Sequence, residues 1–147
     1  MQQQNTKIVL PGGAGLVGQN LVAHLKLHGY ANLVVLDKHA ANLEILRRMH
    51  PDIVAELADL AEPGDWERHF EGADAVVMLQ AQIGAPQAEP FVRNNLTSTE
   101  RILALIQQHR IPHTVHISSS VVESVAKDHY TDTKRAQEEM VLASGIP

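Results

Sequence analysis

Tyr130-Thr131-Asp132-Thr133-Lys134 sets a phenol and an ammonium four residues apart, which on a helix puts both on one face. A tyrosine with a pKa of about 10 is a poor base at neutral pH, but a neighbouring cation stabilises its phenolate. Such a pair can exchange a proton with a substrate hydroxyl during hydride transfer. Ser118-Ser119-Ser120 lies ten residues upstream, where a hydroxyl could hydrogen-bond the reacting oxygen. Taken alone, Tyr-x-x-x-Lys is a weak signal, because solvated helix faces produce the same pair by chance.

The second constellation is Gly12-Gly13-Ala14-Gly15-Leu16-Val17-Gly18, which satisfies both G-x-G-x-x-G and G-x-x-G-x-x-G and holds four of the nine glycines. A strand that must turn sharply, bring backbone N–H groups to a pyrophosphate and then pack a helix closely benefits at each step from a missing Cβ. The helix start supplies the attraction for the anion. A plain tight turn explains the glycines equally well until the context is added. Asp37 stands 19 residues beyond Gly18, at the end of a second apolar run, where a carboxylate can accept from the ribose hydroxyls of an adenosine. A 2'-phosphate there would meet negative charge, so NAD is favoured over NADP, with Lys38 beside it as the counterweight. No Gly-Lys-Ser/Thr follows the turn, so a Walker-type triphosphate site is not supported.

These residues need a scaffold, and the chain alternates short apolar runs with segments of helical period. Strands are expected at 7–10, 33–36, 53–58, 75–79 and 114–117. Helices are expected at 16–28, where Val17, Leu21 and Leu25 share a face, and at 42–49, 90–109 and 129–144, with a helical turn at 65–70. Gly29 and Gly145 close the first and last helices, and Gly84 and Pro86 mark a loop. Strands alternating with helices through right-handed crossovers make an α/β, doubly wound parallel sheet, with five strands in the order 3-2-1-4-5. Both constellations then fall at the carboxyl ends of strands.

Composition bounds the rest. The 147 residues are 44% hydrophobic, 20% charged and 3% aromatic, the profile of a single globular domain. No Cys is present, which excludes disulfides and thiolate chemistry. A net charge of -5, with no basic cluster larger than Arg47-Arg48 or Lys134-Arg135, makes nucleic acid an unexpected partner. No apolar run approaches the roughly 18 residues of a membrane helix and no signal peptide is evident, so a cytoplasmic location without membrane contact is expected. His24 with His28, and His109 with His113 and His116, gain no carboxylate at ligand spacing; ordinary surface histidine, rather than zinc, accounts for them. Glu67-Arg68 and Glu138-Glu139 read as solvated charges, and Trp66 as packing.

Together the motifs resemble the short-chain dehydrogenase/reductase superfamily, in particular its extended NAD-dependent epimerase/dehydratase branch, over essentially the whole chain. The resemblance implies an NAD-binding Rossmann fold. It implies cofactor contacts from Gly12, Gly13, Gly15, Leu16, Val17 and Gly18, from Asp37 and Lys38, from Asp59-Leu60 near the adenine, from Gln80 and Ala81 at the end of the fourth strand, and from the helix asparagine Asn95. It also implies that Tyr130 and Lys134, which touch the cofactor as well, form a catalytic set with Ser120, or secondarily Ser119. The implied activity is hydride transfer between NAD and a hydroxyl or keto carbon of a small-molecule substrate, such as a nucleotide sugar. In the resembled family the helices at 90–109 and 129–144 build a homodimer; here packing on the sheet satisfies the same periodicity.

Three departures stand out. Pro11 replaces the usual Thr before the glycines, Val121-Val122-Glu123 replaces Val-Tyr-Gly, and the serine-to-tyrosine spacing is short. The chain ends where a sixth strand and a substrate region would begin, so it is expected to be the amino-terminal portion of a longer protein. The rival expectation is a non-catalytic NAD(P)-binding regulatory or redox-sensing module; a partner-binding domain with an incidental glycine turn is a third.

Overall fold

Ile-Val-Leu and Leu-Val-Val-Leu offer no polar face, so strands made of them must be covered on both sides, as in a parallel sheet sandwiched by helices. The computed structural model, which describes residues 2–81, 85–125 and 127–147, has that arrangement. A short helix α1 (Gln2–Asn5) precedes β1 (Ile8–Pro11), α2 (Leu16–Leu27), β2 (Leu33–Asp37), α3 (Ala40–Met49) and β3 (Val54–Leu57). A 3-10 turn at Asp65–Phe70 leads to β4 (Ala75–Met78). Then follow α4 (Glu89–Phe91), a π-helical turn (Val92–Thr97), α5 (Ser98–Gln108), β5 (His113–His116), a 3-10 turn (Ser120–Glu123) and α6 (His129–Ala143). All strand pairs are parallel and the order is β3-β2-β1-β4-β5.

Side chains alternate between two apolar layers. Ile8, Leu10, Leu33 and Val35 pack with Val22 of α2 and Leu43 and Leu46 of α3. Val9, Val34, Leu36, Val76 and Met78 pack on the other face with Ile102 and Ile106 of α5, and with Trp66 and Phe70 of the 3-10 turn. Trp66 is buried in edge-to-face contact with Phe70 and donates its indole N–H to the Glu62 carbonyl. It packs, as its position in the sequence suggests.

Element bounds shift where side chains capture backbone groups. The first strand begins at Ile8 rather than at 7, because the Lys7 N–H donates to the Asp74 carboxylate instead of joining the ladder. Residues 53–58 contribute only the four of β3, an edge strand. The helix expected at 90–109 is interrupted by the π turn. Gly84 lies outside the described residues.

Two glycines set the junction of β1 and α2. Gly12 has φ +77° and a Cβ there would lie 2.4 Å from the Gln80 backbone N, so both conformation and space exclude a side chain. A Cβ on Gly18 would lie 2.2 Å from the Gly13 carbonyl O, the closest approach of helix to turn. Gly18→Ala should therefore cost roughly 2–4 kcal/mol in urea unfolding, because backbone has to move, while Gly15→Ala should change stability by about 1 kcal/mol or less.

Candidate functional site

At the switch point, where β1 has β2 on one side and β4 on the other, the carboxyl ends of the strands open a cleft of about 420 Å³. Its lining includes Gly12, Gly15, Leu16, Val17 and Gly18 of the turn, Asp37 and Lys38 after β2, Ala58 and Leu60 after β3, and Leu79, Gln80 and Ala81 after β4. Asp37 is buried and accepts from the Ala14 N–H at 3.1 Å and the His39 N–H at 3.0 Å, tying the end of β2 to the glycine turn. Lys38 donates to Asn94 Oδ1 at 2.9 Å, linking the β2 end to the π turn.

Beside the Asp37 carboxylate, the cleft's fit to a dinucleotide rests on two features. Gly15 is the N-cap of α2, with no side-chain cap, and a Cβ on it would meet only the Gly12 carbonyl O at 3.9 Å. Nothing in the protein forbids a side chain there, so the space it leaves is a cradle over the uncapped N–H groups of α2. Gln80 is buried, and its Oε1 is an acceptor with no hydrogen-bond partner among the described residues. The anion cradle and the ribose-level carboxylate lie on one cleft, with the buried, unsatisfied amide of Gln80 in its wall, and they suit NAD.

Other expected residues take different positions. The Asp59 carboxylate lies outside the lining, accepting from the Ala61 N–H at 3.1 Å and from Arg93 at 2.5 Å, with Glu62 on the same guanidinium at 2.9 Å. Partial burial opposes its charge, but the Arg93 and Ala61 hydrogen bonds prevail and hold its pKa below the ordinary value. Gly13 packs against Leu10 and Gly18 instead of facing the cleft. Asn95 is fully buried and donates to Thr133 Oγ1 at 2.9 Å. His39, Asn42, Asn94 and Ser98 complete the lining without having been expected. The first two directly follow Asp37 at the start of α3, and the other two are spaced i, i+4, which was the available signal.

Ser120, Tyr130 and Lys134 lie beyond this cleft, at the carboxyl end of β5 and the start of α6. Asp128 caps α6 by accepting from the Thr131 N–H at 2.7 Å, a bond that lowers its pKa. Two contacts dock the helix on the serine segment: Arg135 Nε donates to the Val122 carbonyl at 3.0 Å, and Lys134 Nζ to the Ile117 carbonyl at 3.4 Å. Ser120 is exposed at the first position of its 3-10 turn; Ser119 caps that turn by accepting from the Val121 N–H. Ser118 Oγ is buried without a partner among the described residues. Lys134 is 2% exposed; burial depresses its pKa, with Glu138 acting in the opposite sense. His116, with both ring nitrogens buried and unpartnered among the described residues, is pushed down to about 4 by burial and then by Lys134. Among the described residues no group of three His, Asp or Glu side chains could hold a metal ion. Among these residues no helix is long and apolar enough to cross a membrane.

Fold and cleft together define a doubly wound, dinucleotide-binding α/β domain. The family model described as NAD dependent epimerase/dehydratase family matches residues 8–144, and the chain belongs to that family. It is 29% identical over 139 residues to a UDP-glucose 4-epimerase of Dictyostelium discoideum, a match covering 83% of this chain and 38% of that protein. It is 32% identical over 114 residues to a dTDP-glucose 4,6-dehydratase of Neisseria gonorrhoeae, covering 70% of this chain and 33% of the relative. The chain thus spans between a third and two fifths of the length of these relatives. Among solved structures, the UDP-glucuronic acid 4-epimerase of Bacillus cereus in complex with NAD superposes with a TM-score of 0.80 at 23% identity, covering 95% of this chain and 52% of that one.

The depressed His116 pKa gives a signed expectation. Between pH about 4 and about 6.5 the unfolded chain binds a proton at this ring that the folded chain refuses, so this residue makes stability rise with pH across that window and level off above it. Urea titrations from pH 4 to 8 should show a shallower rise in His116→Gln than in the unsubstituted chain.

Proposed function

We propose that this chain supplies the NAD site and the proton-transfer residues of an epimerase, dehydratase or dehydrogenase that oxidises or reduces a hydroxyl or keto carbon, with a nucleotide sugar as substrate. The observation that carries the proposal is the cleft itself: the open cradle at Gly15, the Asp37 carboxylate and Gln80 share one lining. Family membership supports the redox class, and relatives named as a UDP-glucose 4-epimerase and a dTDP-glucose 4,6-dehydratase support the sugar.

In this reading the N–H groups at the start of α2 bind the pyrophosphate, and Asp37 accepts from the adenosine ribose while repelling a 2'-phosphate. Bound NAD supplies the hydride acceptor and donor. Tyr130 exchanges the proton of the reacting hydroxyl, Lys134 binds the ribose and brings positive charge to bear on the phenol, and Ser120 hydrogen-bonds the substrate oxygen. Ser120 and Tyr130 flank the segment where Arg135 and Lys134 dock α6 on the end of β5, which keeps all three groups at one edge of the sheet.

Calorimetry should show NAD binding at least about ten-fold tighter than NADP, and Asp37→Asn, which retains an acceptor for Ala14, should narrow that gap. Equal affinity for the two in the unsubstituted chain would overturn the cofactor assignment. Where UDP-glucose or another nucleotide sugar is turned over, Tyr130→Phe should lower kcat by about 100-fold or more while leaving NAD affinity within about two-fold. Full activity in that variant would remove Tyr130 from the mechanism, and NAD binding without turnover of any sugar nucleotide would favour a regulatory module.

A further inference from the structure

Behind the cleft a chain of buried polar side chains determines its own orientation. Thr99 of α5 has one hydroxyl proton and donates it to the Asn95 carbonyl at 2.7 Å, so toward other partners it can only accept. Two amides approach it: Gln80 Nε2 at 3.2 Å and Gln137 Nε2 at 3.0 Å. A hydroxyl that accepts must be faced by nitrogen, so both amide oxygens are turned away from Thr99. Gln80, a residue that lines the cleft, is thereby left with a buried Oε1 that has no partner among the described residues. Gln137 presents Oε1 to Lys134 Nζ at 2.6 Å.

Lys134 cannot hold a charge at this depth unless its N–H groups find acceptors, since an ammonium taken out of water is otherwise driven to its neutral form. The shorter of its contacts is the one to Gln137; the Ile117 carbonyl, at 3.4 Å, is the longer. Gln137 is itself fully buried, so it has no alternative partner in water. We infer that Gln137 is a positioning residue: clamped by the Thr99 hydroxyl with its carbonyl oxygen outward, it holds the Lys134 ammonium charged and fixed at the end of β5. The inference rests on the reading of Lys134 as the group that serves the cofactor and Tyr130. Its content is specific to charge, because an interior glutamine that merely filled space would leave the lysine's protonation indifferent to its replacement.

The titratable groups that bear on Lys134 are His116 from β5 and, on its own helix, Glu138, which favours the ammonium. From α5 and the π turn the members of this network, Thr99 and Asn95, are neutral. Removing the Gln137 acceptor therefore leaves burial less opposed, and replacing it with a carboxylate opposes burial more.

The test is NMR titration of the lysine side chains in the chain labelled at lysine Cε, without cofactor. Gln137→Met should lower the Lys134 midpoint relative to the unsubstituted chain, and Gln137→Glu, of the same shape, should raise it. Thr99→Val should shift it in the same direction as Gln137→Met, because the amide then loses the hydroxyl that orients it. NAD affinity, measured by calorimetry, should fall about ten-fold in Gln137→Met and recover in Gln137→Glu. An unchanged Lys134 midpoint in a folded Gln137→Met chain would overturn the inference. If that variant does not fold, an unchanged midpoint in Gln137→Glu overturns it instead. Failure of the unsubstituted chain to bind NAD would sink the functional reading alone, since the cofactor-free titration decides the role of Gln137 by itself.

Discussion

Helix α2 approaches the turn after β1 so closely that Gly18, packed on the Gly13 backbone, must lack a side chain. The rest of the cleft depends on this contact. It brings the first turn of α2 down onto the ends of the strands, places Gly15 at the N-cap, and leaves Ala14 within reach of the Asp37 carboxylate from the neighbouring strand. On the other side Gly12 lies against the Gln80 backbone, so the ends of β1, β2 and β4 are locked around one opening. A lengthening of the Gly13–Gly18 contact would move the helix start away from all of them at once.

The two faces of the sheet are used differently. The α2 and α3 face is apolar and supports the turn. The α5 and α6 face is apolar near Trp66, Phe70 and Ile102, but toward the carboxyl ends of β4 and β5 it becomes a buried layer of Gln80, Thr99, Asn95, Thr133, Gln137 and Lys134. Such a layer is stable only when its groups satisfy one another, and the Thr99 hydroxyl, with one bond donated and two accepted, is its hub. The pKa directions follow from the same depth: burial pushes both Lys134 and His116 toward their neutral forms.

Strand order, the glycine turn and Asp37 were legible in the sequence because each rests on local pattern: apolar runs, a missing Cβ, a carboxylate at a fixed interval. Trp66 was legible as packing from its place on a short amphipathic turn. The π turn was not, since Val92 to Thr97 carries no Gly or Pro and its period differs from an α-helix by one residue. The first strand began one residue late because Asp74, far away in sequence, captured the Lys7 N–H. Arg93 pairing with Asp59 and the meeting of Gln80 and Gln137 at Thr99 were equally hidden. Each joins elements tens of residues apart, and no short-range spacing encodes a contact of that kind.

The π turn sets a phase. A turn of this type holds one residue more than an α turn, and each residue rotates the helix face by about 100°. Before and within it, Phe91 stacks near His129 and Asn95 donates to Thr133, both toward α6. After it, Ile102 and Ile106 point into the sheet. The stretch from Glu89 to Gln108 thus serves two neighbours in different directions, and its length is not free to drift. Deleting a single residue between 92 and 97 would restore a regular helix and rotate one half against the other, turning away either Asn95 from α6 or Ile102 and Ile106 from the core. Insertions and deletions should be rejected in this helical segment.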